Sequence, residues 1–212
     1  MHFEFLIEDQ SGKKALDILV PKIIGGTHTF RVIAFKGIGK IPRKCSSGIE
    51  ARNRFLLDNL PRMLSAYGKQ WSDYAAAVFV VCDLDEKCLK VFRQELFNVL
   101  KICNPKPETR FCVAIEEGEA WLLGDFAAIK KAYPNGKQAV LSRYINDSIC
   151  GTWEVLAEAV YSGGVAALKE KGWQAVGTEK SKWAEKICPF MDTSANNSQS
   201  FCYFRDKLLE FF

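Results

Sequence analysis

The chain has 212 residues, of which 48% are hydrophobic and 25% are charged, and its net charge is +4. This length and composition indicate a globular protein whose hydrophobic core needs neither disulfides nor a structural metal, and no repeat or low-complexity tract is present. A net charge this small does not by itself indicate a nucleic-acid-binding protein.

The positive charge is concentrated in one part of the sequence. Residues 31–70 contain nine Lys and Arg residues against two acidic ones, a local charge of +7, and the remainder of the chain therefore carries −3. A local basic surface is compatible with a polyanionic partner such as nucleic acid. A solvated face that neighbouring acids balance is an equally good interpretation of the same pattern.

The cysteines and the N-terminus bear on the compartment. None of the eight cysteines forms a Cys-x-x-Cys pair, which argues against a zinc cage or a thioredoxin-type site. The first residues lack the features of a signal peptide, and no apolar stretch reaches membrane-spanning length. We therefore expect reduced thiols, a cytoplasmic location and no membrane association.

Hydrophobic periodicity predicts strands that alternate with helices in the first part of the chain. The predicted elements, in chain order, are a strand at 3–7, a helix at 14–24, a strand at 27–35, a helix at 49–67, a strand at 75–82, a helix at 88–100, a strand at 111–115 and helices at 117–131, 153–167, 180–187 and 201–212. This alternation predicts an α/β fold with a mainly parallel sheet and helices on both faces. We expect an α/β core over residues 1–130 and a helical C-terminal elaboration, residues 131–212, packed on it as one compact domain.

Acidic residues follow two of the predicted strands directly. Glu8 and Asp9 come after the first strand, and Asp83 and Asp85 come after the most strongly apolar strand. Ligand sites in open parallel sheets lie at the carboxyl ends of strands, and carboxylate oxygens are the ligands that Mg²⁺ or Mn²⁺ prefers. A metal bound there would polarise a phosphoryl oxygen. The alternative is that Asp85 only caps the following helix.

A basic loop follows the second predicted strand. Its cations are candidate nucleic-acid contacts: Lys36, Lys40, Arg43 and Lys44. Such side chains neutralise backbone phosphates without reading bases. The segment Gly37-Ile-Gly39-Lys40 lacks the spacing of a Walker loop, so the chain has no ATP-binding motif of its own.

Two of these stretches resemble the Toprim signature of topoisomerases, primases and overcoming-lysogenization-defect nucleases: Phe-Leu-Ile-Glu8-Asp-Gln-Ser-Gly and Val-Phe-Val-Val-Cys-Asp83-Leu-Asp85. The whole chain is similar to a family of Toprim-like bacterial proteins whose genes often accompany those of ABC-type ATPases in phage-defence operons. The closer likeness rests on Phe35-Lys-Gly37 with the Leu60–Leu64 stretch, on Asp83–Asp85 with Cys88, on residues 115–125 (Ile-Glu-Glu-Gly-Glu-Ala-Trp-Leu-Leu-Gly-Asp) and on residues 197–201 (Asn-Ser-Gln-Ser-Phe).

The resemblance implies a magnesium-dependent phosphodiester hydrolase, nuclease-like, that works with an ABC-type ATPase in antiviral defence. It implies that Glu8 is the general acid/base and a metal ligand, and that Asp83 and Asp85 are catalytic Mg²⁺ ligands. Glu119 and Asp125 would lie near the same site as further ligands or supporting carboxylates. Asp9-Gln10 stands where many Toprim sequences have glycine or a small polar residue, which leaves open which acid acts.

Two further functions fit the same residues. The chain is alternatively a non-catalytic partner or regulator that keeps the Toprim fold, with carboxylates that only cap helices. A phosphatase or a receiver-like phosphoacceptor that uses Asp83 fits less well. The residue after Asp85 is Glu86, whereas a haloacid-dehalogenase-type phosphatase motif has Thr or Val at that position. Trp121 sits among apolar helix positions, so we expect it to anchor a core rather than to stack on a base.

Overall fold

A computed structural model describes residues 1–42 and 55–212. In chain order its elements are β1 (His2–Ile7), α1 (Gln10–Ile24), β2 (Thr29–Ala34), α2 (Leu56–Gln70), β3 (Ala76–Asp83), α3 (Leu89–Lys101), β4 (Thr109–Ala114), α4 (Glu119–Leu123), α5 (Phe126–Ala132), α6 (Gln138–Leu141), α7 (Thr152–Val160), α8 (Gly164–Glu170), α9 (Trp173–Ile187), a 3₁₀ helix (Cys188–Phe190) and α10 (Gln199–Leu209). Within these ranges no helix is both long enough and apolar enough to span a bilayer.

The chain forms two compact units. The first contains residues 1–10 and 26–113, and the second contains residues 11–25 and 114–212. The sheet belongs to the first unit, while the second contains α1 and the helices that follow β4. The predicted division between residues 130 and 131 falls inside the second unit, and the expectation of one compact domain stays a prediction.

Four strands of the described chain form one parallel sheet in the order β2-β1-β3-β4, flanked by helices. The two central strands are almost entirely buried, and apart from His2 and Glu4 of β1 and the terminal Asp83 of β3 their residues are apolar, as expected for strands that are covered on both faces. The predicted α/β class with a mainly parallel sheet is therefore confirmed.

The strand order creates a binding position at the carboxyl ends of the two central strands. The chain leaves β1 for β2 on one side, whereas β3 lies on the other side, so the direction of the connections reverses between β1 and β3. A crevice at the carboxyl ends of the strands opens at such a switch point. Ile7 pairs in register with Val81, and consequently the residues after β1 lie beside the end of β3.

A buried carboxylate joins α2 to the sheet within the first unit. Glu4 in the middle of β1 is fully buried, and its Oε1 accepts a 2.7 Å hydrogen bond from the Tyr67 hydroxyl of α2. The Arg31 Nε of β2 donates to the same carboxylate at 3.0 Å. A buried charge is tolerated only when it is paired in this way, so these bonds fix the position of α2 over β1 and β2.

The predicted continuous helix at 117–131 is wrong, because the chain breaks between α4 and α5. The carbonyl oxygen of Gly124 accepts a 2.9 Å bond from the Asn197 amide, and a Cβ at Gly124 would lie 2.1 Å from the Asn196 Oδ1. The Asp125 side chain then caps α5 by accepting from the Ala128 amide at 2.9 Å. A close backbone approach and a new N-cap together end one helix and begin the next.

Other predicted boundaries also move. The predicted helix at 153–167 is two helices, α7 and α8, because Gly163 and Gly164, at the start of α8, adopt φ values of +85° and +70° that the interior of a continuous helix does not accommodate. Of the predicted helix at 49–67, residues 49–54 lie outside the described residues, and α2 continues to Gln70. The predicted helices at 180–187 and 201–212 begin earlier, at Trp173 and Gln199.

Candidate active site at the strand ends

Glu8 lies directly after β1 at the switch point of the sheet. Its carbonyl oxygen accepts a 2.9 Å bond from the Gly37 amide, which ties the start of the β2–α2 loop to the residue. Its half-buried side chain points toward β3, where the Oε2 accepts a 3.4 Å bond from the Asp83 amide. The sequence-predicted Glu8 and Asp83 are therefore neighbours.

The electrostatic environment of Glu8 favours its protonated form. Burial raises the pKa of the Glu8 carboxyl from 4.5 to about 7, although the hydrogen bond from the Asp83 amide lowers it. The negative charges of Asp85 and Asp9 raise the same pKa, and the positive charge of Lys87 lowers it. A carboxyl with a pKa near neutrality exchanges a proton readily at physiological pH, as a general acid or base must.

Asp85 stands at the turn that leads out of β3. Its backbone has a φ of 51°, a left-handed conformation that aspartate tolerates better than most residues. Its exposed carboxylate forms a 2.6 Å ion pair with the Lys87 Nζ. Asp85 does not cap α3, because Cys88 occupies the N-cap position of that helix. The interpretation of Asp85 as a helix cap is therefore wrong.

The donor chemistry of this cluster suits a hard divalent cation. Glu8, Asp83 and Asp85 offer carboxylate oxygens, and Glu8 and Asp85 are close enough for the Asp85 charge to raise the Glu8 pKa. Among the described residues, however, no three His, Cys, Asp or Glu side chains form a group that could hold a metal ion. Mg²⁺ keeps several of its waters and needs only one or two carboxylates, so the residues fit an ion that is partly hydrated.

The basic loop borders this cluster. Lys36 and Lys40 have exposed side chains, and the Lys40 amide donates a 2.8 Å bond to the Asp58 Oδ1 of α2. Gly39 in the loop has a φ of +69°, and a Cβ there would lie 2.5 Å from that of Phe55. Loop and helix are thus held together. The other two predicted phosphate contacts, Arg43 and Lys44, lie outside the described residues.

Glu119 and Asp125 belong to the second unit, where both have partners. The Glu119 Oε2 lies 2.8 Å from the Lys180 Nζ, and the glutamate is 4% exposed. One oxygen of Asp125 caps α5 and the other accepts a 2.8 Å bond from the Asp192 amide. These contacts give both carboxylates a structural role. That they also serve a metal site with Glu8 stays a prediction.

Residues 115–125 and 197–201, two of the stretches on which the family resemblance rests, hold each other in place in the second unit. The Asn197 side chain donates to the Gly124 carbonyl at 3.2 Å, and the Trp121 Nε1 donates to the Ser200 hydroxyl at 3.1 Å. The Trp121 ring is 4% exposed and stacks on Phe204 with centroids 5.0 Å apart. The expectation that Trp121 anchors a core is confirmed, and residues 115–125 and 197–201 are explained as one packed network.

Lys87 is the residue that sequence reasoning missed. It lies two residues beyond Asp85, so it belongs to the same turn after β3 as the predicted metal ligands. Besides its ion pair with Asp85, the Lys87 Nζ lies 5.1 Å from the centroid of the Phe92 ring. A lysine next to an Asp-x-Asp pair at a strand end is the signal that would have indicated it.

Comparisons with models of protein families, with curated proteins and with solved structures found no significant match.

Proposed function

We propose that this chain is a metal-dependent phosphodiester hydrolase that acts on nucleic acid, with Mg²⁺ or Mn²⁺ as its cofactor. The observation that carries the proposal is the Glu8 carboxyl at the switch point of the sheet, with a pKa of about 7, beside Asp83 and Asp85. A titrating carboxyl next to further carboxylates at this position is an arrangement suited to proton transfer and cation binding.

In this proposal each residue has a defined task. Asp83 and Asp85 would hold the metal, which when bound supplies charge stabilisation at a phosphoryl oxygen. Ionised Glu8 would accept the proton of the water whose oxygen forms the new bond to phosphorus. The bond from phosphorus to the departing sugar oxygen breaks, and protonated Glu8 returns a proton to that oxygen.

Nucleic acid is the proposed substrate because exposed cations lie on the loop that contacts Glu8. Lys36 directly precedes Gly37, whose amide donates to the Glu8 carbonyl oxygen, and Lys40 follows Gly37 by three residues. Exposed lysines there would contact backbone phosphates on either side of the bond to be cleaved. Partnership with an ABC-type ATPase and a role in phage defence are supported by the resemblance alone. A cytoplasmic location is supported by the described cysteines, all of which are free thiols.

The first test is a titration with Mn²⁺ and Mg²⁺, followed by thermal melting of the wild type and of Asp83→Ala/Asp85→Ala. A ligand at about 100 times its Kd stabilises a fold by roughly 2.7 kcal/mol, so we expect the melting temperature of the wild type to rise by about 5 °C or more. The double variant should show no rise. Glu86→Ala, which removes an exposed carboxylate from the same turn, is the matched control and should respond like the wild type.

Cleavage assays with single-stranded and duplex DNA and RNA, with and without an ATPase partner, complete the test. Metal-dependent cleavage that Glu8→Gln and Asp83→Ala both abolish would support the hydrolase. Cleavage that survives Asp83→Ala would show that the proposed site is wrong.

A second candidate function is a non-catalytic partner that keeps the fold without hydrolysing a substrate. The ion pair between Lys87 and Asp85 favours it, because a lysine already neutralises part of the charge that a metal would neutralise. The described residues also contain no preformed group of three metal ligands. Absence of any metal-dependent shift in the wild type, together with absence of cleavage, would favour this function over the hydrolase.

A further inference from the structure

The first unit contains a cavity of about 480 Å³ beside the candidate active site, between α2, α3 and the loop after β2. The apolar part of its wall includes Leu57, Pro61, Phe92 and Val99. The volume falls within the range of about 300–1,000 Å³ that is typical of sites for small organic groups. The cavity is therefore large enough to take a flat, mostly apolar group.

Charged and polar side chains surround the cavity. Two cations, Lys40 and Lys87, line it together with Glu95 and Asn98. The cations complement an anionic group, the apolar wall complements a planar ring, and the glutamate and amide offer hydrogen-bonding partners for a ring edge. A nucleotide unit, which joins a phosphate to a base, combines all three properties.

Lys87 connects the cavity to the candidate active site. Its Nζ lies 2.6 Å from the Asp85 Oδ2 and 5.1 Å from the centroid of the Phe92 ring, which forms part of the wall. A phosphate that contacts Lys87 would lie next to the carboxylates of the strand ends. A base attached to that phosphate would then be within reach of the cavity.

We propose that this cavity binds one unpaired base of a single-stranded nucleic acid, whose adjoining phosphate contacts Lys87. The inference rests on the proposed function in taking nucleic acid as the ligand, and it names the form of the substrate. In a duplex the bases are stacked and paired, so a cavity that takes a base requires a single strand or a base that has left the stack. Phe92 is 2% exposed, so the base would pack against the apolar part of the wall as a whole rather than stack on a free aromatic face.

The test measures the affinity of the full chain for two fluorescent ten-nucleotide probes, oligo(dT) and an abasic strand of equal charge. The measurements are made in EDTA so that no metal-dependent cleavage occurs. We expect the wild type to bind oligo(dT) about tenfold tighter than the abasic strand, a ratio in keeping with the contribution of one base contact. Ile102→Glu, which places a charge at an exposed residue of the cavity, should reduce that ratio to about one. Asn98→Ala should reduce it without adding a charge.

Val91→Glu is the matched control, because Val91 is an exposed apolar residue of α3 that does not line the cavity. It should keep the tenfold ratio. An equal affinity for both probes, or an unchanged ratio in Ile102→Glu, would overturn the inference. A mononucleotide that competes as strongly as the oligonucleotide would overturn the assignment to a strand.

The outcomes for the cavity and for the hydrolase are separable. Metal-dependent cleavage without base-dependent binding would reject the cavity and leave the hydrolase standing. Base-dependent binding without cleavage in Mn²⁺ would reject the hydrolase and leave the cavity as a binding site.

Discussion

The Glu8 carboxyl has a pKa of about 7 because burial disfavours its ionised form and the charges of Asp85 and Asp9 add to that effect. An ionised Glu8 therefore destabilises the metal-free fold, and a cation or a proton relieves the destabilisation. This is a property of one residue in its surroundings, and it makes both stability and metal affinity depend on pH.

The consequence for stability has a definite sign. Because the pKa of Glu8 is higher in the folded chain than its ordinary value of 4.5, the folded state retains a proton that the unfolded state loses between about pH 4.5 and 7. The free energy of unfolding should therefore fall through this interval as the pH rises. Glu8→Gln removes the titrating group. In EDTA the free energy of unfolding of the variant should therefore exceed that of the wild type by on the order of 2–3 kcal/mol at pH 8 and by little at pH 4.5.

Urea denaturation of both proteins at several pH values measures this difference. Glu86→Gln, in the exposed turn nearby, is the control and should track the wild type throughout. A difference between Glu8→Gln and the wild type that does not change with pH would contradict the raised pKa.

At the scale of elements, the break between α4 and α5 depends on Asp125. Its two carboxylate oxygens accept from the Ala128 and Asp192 amides, so it caps α5 and also fixes the chain that precedes α10. Asp125→Ala should lower the free energy of unfolding by roughly 1–3 kcal/mol, because the N-cap of α5 is lost and the amide of the buried Ala128 loses its acceptor. Asp125→Asn, whose amide keeps one acceptor oxygen, should lose less.

The same variants address the metal role that the resemblance implies for Asp125. If Asp125 serves only as a cap, Asp125→Ala will melt at a lower temperature but will keep the full Mn²⁺-dependent rise. Loss of that rise in Asp125→Ala, at a temperature where the variant is folded, would instead support a ligand role.

At the scale of the whole molecule, the chain passes between its two units three times. Residues 11–25, which include nearly all of α1, belong to the second unit although they follow β1 in sequence. Within that unit the Lys22 Nζ donates to the carbonyl oxygens of Cys188, Pro189 and Met191 at 3.1, 2.9 and 2.6 Å. Leu16, Leu19 and Val20 of the same helix are fully buried. The helix is thus an integral part of the second unit.

A fragment of residues 114–212 should consequently not melt cooperatively by circular dichroism. The same fragment with residues 11–25 joined through a flexible linker should recover a cooperative transition, because the helix restores buried apolar contacts and the partners of three carbonyl groups. The fused protein with the substitution Lys22→Met serves as the control. The cooperativity of its melting should lie between those of the fragment and of the unsubstituted fusion. Equal cooperativity with and without the helix would contradict this assignment.

Much of the sheet was predictable because its signals are local. The unbroken apolar run at residues 75–82 indicates a strand that is covered on both faces wherever it occurs, and β3 matches it closely. The helix breaks were not predictable in the same way. Residues 117–131 keep a helical pattern across Gly124, and the helix ends there because the Asp125 cap acts together with contact to Asn196 and Asn197, more than 70 residues away in sequence.

The sequence by itself determined the alternation of strands and helices, the parallel class of the sheet and the acidic residues that follow β1 and β3, because periodicity and apolar runs are properties of short segments. The tertiary structure alone decided the strand order that makes β1 and β3 neighbours. It also decided the burial that raises the pKa of Glu8. These depend on groups far apart in sequence, since desolvation and charge interactions are set by distance in space.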